Sequence, residues 1–198
     1  LERALSKLGY ASRKTARALI LEKKVKVNGF VTVNPLFQVR PEVAKISISD
    51  QVCERHESLV YAFNKPKNAV TTRSDEKGRT TVFDYLKDLT GHWIAVGRLD
   101  LATTGLLLIT NDTKLSAWLT DPKNEIPRTY AVTVRGLVTS EIAKNLEHGV
   151  NVDGELLFAS QVKVRKSSQK ESHLIVVLTE GKNREIRRLL LSQGHEVT

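Results

Sequence analysis

The apolar positions of this chain change period repeatedly, and each change predicts an element. Leu1, Ala4, Leu5 and Leu8 recur at spacings of three and four, which predicts a short helix stopped by Gly9. Ser12 then offers a side-chain cap for a second helix, whose apolar stripe is Ala16, Leu19 and Ile20. Arg13, Lys14, Arg17 and Lys24 cluster on the neighbouring face, so one side packs while the other can meet phosphate. Val25–Val27 and Phe30–Val33 are β-rich runs around Asn28-Gly29, a strong hairpin signal, and Ile46-Ser47-Ile48 would close a small sheet. Residues 51–58 are polar and aperiodic, and read as a linker.

From Leu59 onward, strand and helix patterns are mixed. Leu59–Phe63 reads as a strand ended by Lys65-Pro66, and Val82, Phe83, Leu86 and Leu89 fall at helical spacing. Trp93–Val96 and Leu106–Ile109 read as two further strands, the second buried and ending at the turn Asn111-Asp112. The segment between them, Gly97 to Gly105, is then a loop braced by strands. Tyr130, Val132 and Val134 alternate as in a half-buried strand, and Ser140 can cap a helix carrying Ile142 and Leu146. Asp153-Gly154 marks a hairpin between Val150 and Phe158, and Leu174–Leu178 is a last strand. The absence of regular βαβ alternation predicts an α+β fold with mainly antiparallel sheets rather than a doubly wound one.

Composition sharpens the class of partner. The 198 residues are 40% hydrophobic and 27% charged, enough for one large or two modest domains with a real core. The net charge of +9 is uneven: residues 1–58 hold 11 Lys and Arg against 6 Asp and Glu, the remainder 20 against 16. The N-terminal part is thus the more basic per residue, which suits a polyanion such as RNA, although charge alone fits membranes or acidic proteins as well. A single cysteine, Cys53, cannot form an internal disulfide and points to a reducing compartment. No apolar run approaches the roughly 20 residues of a membrane span, and no signal peptide is visible. With no methionine, even at position 1, the start reads as trimmed; Gly194–Thr198 looks like a helix exit entering a strand, so the end reads as truncated.

Three segments can carry chemistry. Asp100, in a glycine-bounded loop, is ionised at neutral pH unless strongly desolvated, a free aspartate titrating near ~3.9. Such an aspartate is more often a backbone hydrogen-bond acceptor, but it is also a potential nucleophile. On a helix over Glu180–Leu190, Ile186, Leu189 and Leu190 would share one face and Arg184, Arg187 and Arg188 the other, as a solvated basic face or a polyanion contact. Tyr130, after Arg128-Thr129, is either a core aromatic or a stacking platform. The five histidines are dispersed, and there is neither a zinc spacing nor a phosphate-binding or dinucleotide loop. A magnesium nuclease built on Asp100, Asp112 and Glu180 is conceivable, but the flanking arginines would compete with the ion. Neither metal nor cofactor is expected.

The stretch Gly97-Arg98-Leu99-Asp100-Leu101-Ala102-Thr103-Thr104-Gly105, continued through Leu106-Leu107-Leu108 to Thr110-Asn111-Asp112, resembles the active-site loop of the pseudouridine synthases, in the branch that acts on ribosomal RNA. Lys65-Pro66, Arg128-Thr129-Tyr130 and Glu180–Leu190 resemble further motifs of that family, in the same order. Residues 1–50, with Ala11-Ser12-Arg13-Lys14 and Val25-Lys26-Val27-Asn28-Gly29, resemble the S4 RNA-binding domain. The resemblance implies an S4-like domain over 1–50, a linker over 51–58 and a catalytic domain over 59–198. It implies Asp100 as the catalytic carboxylate, Arg187 as its ion-pair partner and Tyr130 stacked on the flipped base and assisting proton removal. It places Arg98, Leu99, Thr104, Gly105 and Leu189 around the substrate. RNA contacts would come from Arg13, Lys14, Arg17, Lys24, Lys26 and Asn28 in the first domain, and from Lys65, Arg128, Lys182, Arg184 and Arg188 in the second.

The implied reaction is isomerisation of a uridine in ribosomal RNA by base flipping, needing no cofactor. Asn183-Arg184-Glu185-Ile186-Arg187-Arg188 is more similar to members that modify large-subunit RNA than to small-subunit ones. The partner would be ribosomal RNA or an assembly intermediate, not a membrane, and the enzyme a monomer in a bacterial-type cytoplasm or an organelle with bacterial-type ribosomes. The competing class is a non-catalytic RNA-binding or ribosome-assembly factor with an enzyme-like domain, against which the joint presence of Asp100, Tyr130 and Arg187 argues.

Overall fold

The computed structural model describes residues 1–54 and 57–198; Arg55 and His56 of the expected linker lie outside the described residues. The chain forms two compact units, Leu1–Leu119 and Thr120–Thr198.

The first unit begins with α1 (Glu2–Lys7) and α2 (Arg13–Leu21). Ser12 caps α2 as its sequence position predicts, accepting a 3.0 Å hydrogen bond from the Thr15 amide. Ala16 and Ile20 are fully buried, while Arg13, Lys14 and Arg17 are exposed. Strands β1 (Val25–Val27), β2 (Phe30–Val31), β3 (Ile46–Ile48) and β4 (Gln51–Val52) form an antiparallel sheet in the order β2-β1-β3-β4. The β1–β2 turn has Asn28 at φ 51° and Gly29 at φ 87°, the positive pair that a two-residue hairpin demands. This module has its own core, with Leu5, Ala16, Ile20, Val25 and Ile46 at or near zero exposure.

The rest of the unit is built on β5 (Val60–Lys65), β6 (Ile94–Ala95) and β7 (Gly105–Thr110), antiparallel in the order β5-β7-β6. The run Leu106–Ile109 of β7 was expected to be buried throughout, but within it only alternate residues are: Leu107 and Ile109 join Ala69, Val82 and Trp93 in a core, whereas Leu106 is 67% exposed. An antiparallel sheet packed on one face imposes that period of two. The helical pattern at Val82 becomes one 3₁₀ segment, Val82–Leu86, closed by a capping box between Thr81 and Asp84. Thr110, Asn111 and Asp112 staple the ends of β5 and β7. Thr110 Oγ1 donates to the Leu59 carbonyl (2.7 Å), Asn111 Oδ1 accepts from the Leu59 amide (2.9 Å), and Asp112 Oδ2 accepts from the Ser58 hydroxyl (2.9 Å). Asp112 Oδ1 accepts from the Lys114 and Leu115 amides at the start of α3 (Thr113–Thr120), a helix the pattern did not give because it buries no residue fully.

The second unit has β8 (Arg128–Arg135), α4 (Ser140–His148), the hairpin β9 (Val150–Val152) and β10 (Glu155–Leu157), β11 (Gln161–Ser167), β12 (Glu171–Leu178) and α5 (Glu185–Leu191). Its main sheet is antiparallel, β11-β12-β8, and Val134, Leu146, Leu157, Leu174, Leu189 and Leu190 form its core. The cap of α4 is Thr139, one residue before the expected Ser140: its side chain accepts from the Ile142 amide at 3.3 Å.

Candidate active site

The carboxylate singled out by the sequence lies on a loop fastened from several sides. Gly97 and Gly105, at φ 80° and 118°, start and end the segment in backbone conformations that a side chain would strain. Between them, Thr71 Oγ1 donates to the Leu99 carbonyl at 3.0 Å and accepts from the Leu99 amide at 3.3 Å. The Asn68 amide donates to the Leu101 carbonyl (2.9 Å), and the Thr103 amide closes a turn onto the Asp100 carbonyl (3.0 Å).

The strongest fastening was misread from the sequence. Lys65, expected to contact RNA, has no exposed surface at all, so its ammonium is not available to phosphate. It donates instead to the carbonyls of Pro66 (3.0 Å), Thr103 (2.8 Å) and, more weakly, Leu101 (3.5 Å). Burial pushes the Lys65 ammonium below its ordinary pKa range, and the nearby Asp100 charge opposes that shift. The sequence signals for this were the motif Lys65-Pro66 and the position of Lys65 at the end of β5.

Half-buried Asp100 lines a cleft of about 500 Å³ together with Thr71, Arg98 and Leu99 and the segment from Thr72 to Arg79. Arg98 is exposed; Thr104 and Gly105 follow on the loop and at the start of β7. On the 72–79 segment, Asp75 Oδ2 accepts from the Lys77 and Arg79 amides, and both its oxygens accept from the Arg79 guanidinium. Those bonds hold the Asp75 carboxyl down to about 2. Sequence reading passed over this pair, whose one signal was an Asp and an Arg four residues apart.

Tyr130 and Arg187 belong to the second unit. Tyr130 stands on β8 opposite Val176, half-buried against the core. Arg187, half-buried on α5, donates from Nη1 to the Val197 carbonyl at 3.1 Å. The single basic face expected over 184–188 is divided. Arg184 precedes α5 as its cap, in a left-handed conformation at φ 47°, and is exposed. Arg188 turns to the β9–β10 hairpin, pairing with Glu155 at 2.7 Å and donating to the Val152 carbonyl. Lys182 bonds Glu180 and the Leu156 carbonyl, and Arg128 donates to the carbonyls of Thr179 and Glu180. Leu189, expected at the substrate, is 1% exposed within the core, where its reach is that of packing. In the N-terminal module Arg17 pairs with half-buried Glu2, Lys24 with Glu22 and half-buried Lys26 with Asp50, while Asn28 Oδ1 accepts from the Lys45 amide. Among the described residues no group of three His, Cys, Asp or Glu could hold a metal ion, and no helix is long and apolar enough to cross a membrane.

With this geometry in hand, comparison with known proteins is decisive. Residues 59–192 match the RNA pseudouridylate synthase family. The chain belongs to that family. Residues 1–43 match the S4 domain family. The chain is 36% identical over 205 residues to the ribosomal large subunit pseudouridine synthase B of Bacillus subtilis, covering all of this chain and 81% of that protein. It is 42% identical over 202 residues to the protein of the same name from Pseudomonas aeruginosa, covering 98% of this chain and 52% of that one. A crystal structure described as a pseudouridylate synthase superposes with a TM-score of 0.65 at 24% identity, covering all of this chain and 84% of the other, which shows the shared fold. The family assignment and the antiparallel α+β fold thus agree with what the motifs implied.

Proposed function

We propose that this chain isomerises a uridine of ribosomal RNA to pseudouridine, with a large-subunit RNA as its substrate, and that Asp100 is the reacting carboxylate. The single observation that carries the reading is the bracing of the Asp100 loop: a buried lysine, a threonine hydroxyl and a backbone amide fix an aspartate at the rim of a cleft. Such prior ordering is what a group that must meet an extruded nucleotide requires.

The bond between ribose C1′ and uracil N1 breaks, and a bond between C1′ and C5 forms. The C5 proton leaves and N1 gains one, so no outside atom is consumed. Asp100 serves by attack on the nucleoside or by assisting glycosidic cleavage; Tyr130 stacks on the uracil and assists loss of the C5 proton, and Arg187 keeps the carboxylate ionised. Residues 1–50 form the RNA-holding domain, 51–58 the linker and 59–198 the catalytic domain. The exposed Arg13, Lys14 and Arg17 supply phosphate contacts that strengthen binding with little base reading. The names of the relatives support a bacterial-type ribosomal setting, and the protein acts as a monomer.

The test is tritium release from an unmodified large-subunit RNA transcript labelled at uridine C5. Asp100→Asn is expected to abolish release while RNA affinity stays within about threefold. Release at the wild-type rate by that variant would remove Asp100 from the reaction.

A further inference from the structure

The segment from Val70 to Thr81 lines the Asp100 cleft, yet it is held more firmly than an exposed polar stretch requires. Its base is closed by the Val70–Thr81 bridge, with the Val70 amide donating to Thr80 and the Val82 amide to Val70. Arg73 lies over the Phe83 ring at 4.6 Å and donates to the Trp93 carbonyl. At the tip, Asp75 is the hub. Its two backbone acceptances from Lys77 and Arg79 would alone suffice to turn the chain. The carboxylate goes further and takes the Nε–Nη2 edge of the Arg79 guanidinium, at 3.1 and 2.6 Å.

The consequence is directional. The Asp75 side chain is 8% exposed and the Arg79 side chain 45%, so the pair turns its cationic half outward. Among the described residues, the Nη1 edge of Arg79 has no partner. A guanidinium clamped on one edge still offers two donors on the other, in the spacing that a phosphate accepts bidentately. The wall on which Arg79 stands is otherwise mostly polar, with Thr72, Ser74, Glu76 and Lys77, and the same cleft is lined by Asp100 and Arg98. Hydroxyls and cations beside a carboxylate suit a sugar–phosphate chain rather than an apolar ligand.

We propose that Arg79, held by Asp75, grips a backbone phosphate of the RNA next to the nucleotide on which Asp100 acts. Arg79 is the contact and Asp75 a positioning residue. This rests on the proposed function, which supplies the RNA. Fixing the guanidinium beforehand removes side-chain entropy from the cost of binding, so the pair sharpens substrate capture rather than the chemical step.

The experiment follows tritium release and RNA binding with the same transcript, across salt concentrations. Arg79→Gln is expected to raise KM about tenfold with kcat within twofold. It should also lower the slope of log affinity against log salt by about 0.7–0.9, the loss of one phosphate contact. Arg79→Lys should keep that slope but recover only part of the KM. Asp75→Asn should raise KM severalfold, and the double variant should be no worse than Arg79→Gln alone. An unchanged salt slope and KM in Arg79→Gln, or fully additive effects of the two substitutions, would overturn the proposal. Repeating the binding series in the Asp100→Asn background separates the two readings, because the slope reports the phosphate contact whether or not Asp100 is the reacting group.

Discussion

Lys65 Nζ donates a 2.8 Å hydrogen bond to the Thr103 carbonyl, across the neck of the loop that carries Asp100. A buried ammonium is unfavourable unless its donors are used, and here the loop carbonyls of Leu101 and Thr103, with that of Pro66, use them. The cation therefore shapes the Asp100 loop from beneath.

Lys65→Met preserves length and apolar bulk but strands those carbonyls. Loss of about 2 kcal/mol of stability is expected. Amide exchange should quicken at Asn68 and Thr103, the donors within the same loop network. Tritium release should fall at least tenfold with RNA affinity little changed; normal turnover would show that the loop needs no such support.

Thr71→Val tests the second fastening. The swap keeps shape but deletes the hydroxyl that both donates to and accepts from Leu99. Destabilisation of about 1–2 kcal/mol by urea titration is expected, with kcat reduced more than KM is raised.

Glu185 governs the expected pH response of stability. It is 3% exposed, and among the described residues its Oε1 is a buried oxygen without a hydrogen-bond partner. Burial, reinforced by the Glu180 carboxylate beside it, raises its pKa to about 7. A carboxyl raised on folding binds more protons in the folded state between about 4.5 and 7, so stability falls as pH rises through that window and is level above it. Glu185→Gln should remove that fall and stabilise the protein by about 1–3 kcal/mol at pH 8 relative to wild type. Denaturation at pH 5 and pH 8, followed by far-UV circular dichroism, measures the difference.

Arg13 and Lys14 are exposed at the start of α2. Replacing both by Gln should lower the salt slope of RNA binding by about 1.4–1.8 and weaken affinity alike for different RNA sequences, with kcat at saturating RNA unchanged.

Local chemistry was legible where it is self-contained. Ser12 caps a helix with its own side chain, and Asn28-Gly29 makes a hairpin turn whatever surrounds it. The Asp100 loop was recognisable because its glycines and its carboxylate are contiguous. What escaped reading depended on distant partners. Lys65 looks like a surface residue until Thr103 and Leu101 arrive from 36–38 residues away. Strand β11 carries Lys163, Arg165 and Lys166 between its apolar positions, and only pairing with β12 makes it a strand. Arg188 shares a helical spacing with Arg184, yet Glu155 on a hairpin 33 residues away decides where it points.

The two tryptophans, Trp93 and Trp118, both belong to the first unit and differ sharply in setting: Trp93 is 7% exposed with its indole N–H bonded to the Thr90 carbonyl, and Trp118 is 53% exposed. Tryptophan emission from this protein is therefore a sum of a short-wavelength and a long-wavelength component, both arising in the first unit. Selective bleaching of the red-edge component by a soluble collisional quencher would isolate the Trp93 signal, giving a label-free optical gauge of the β5–β7 core.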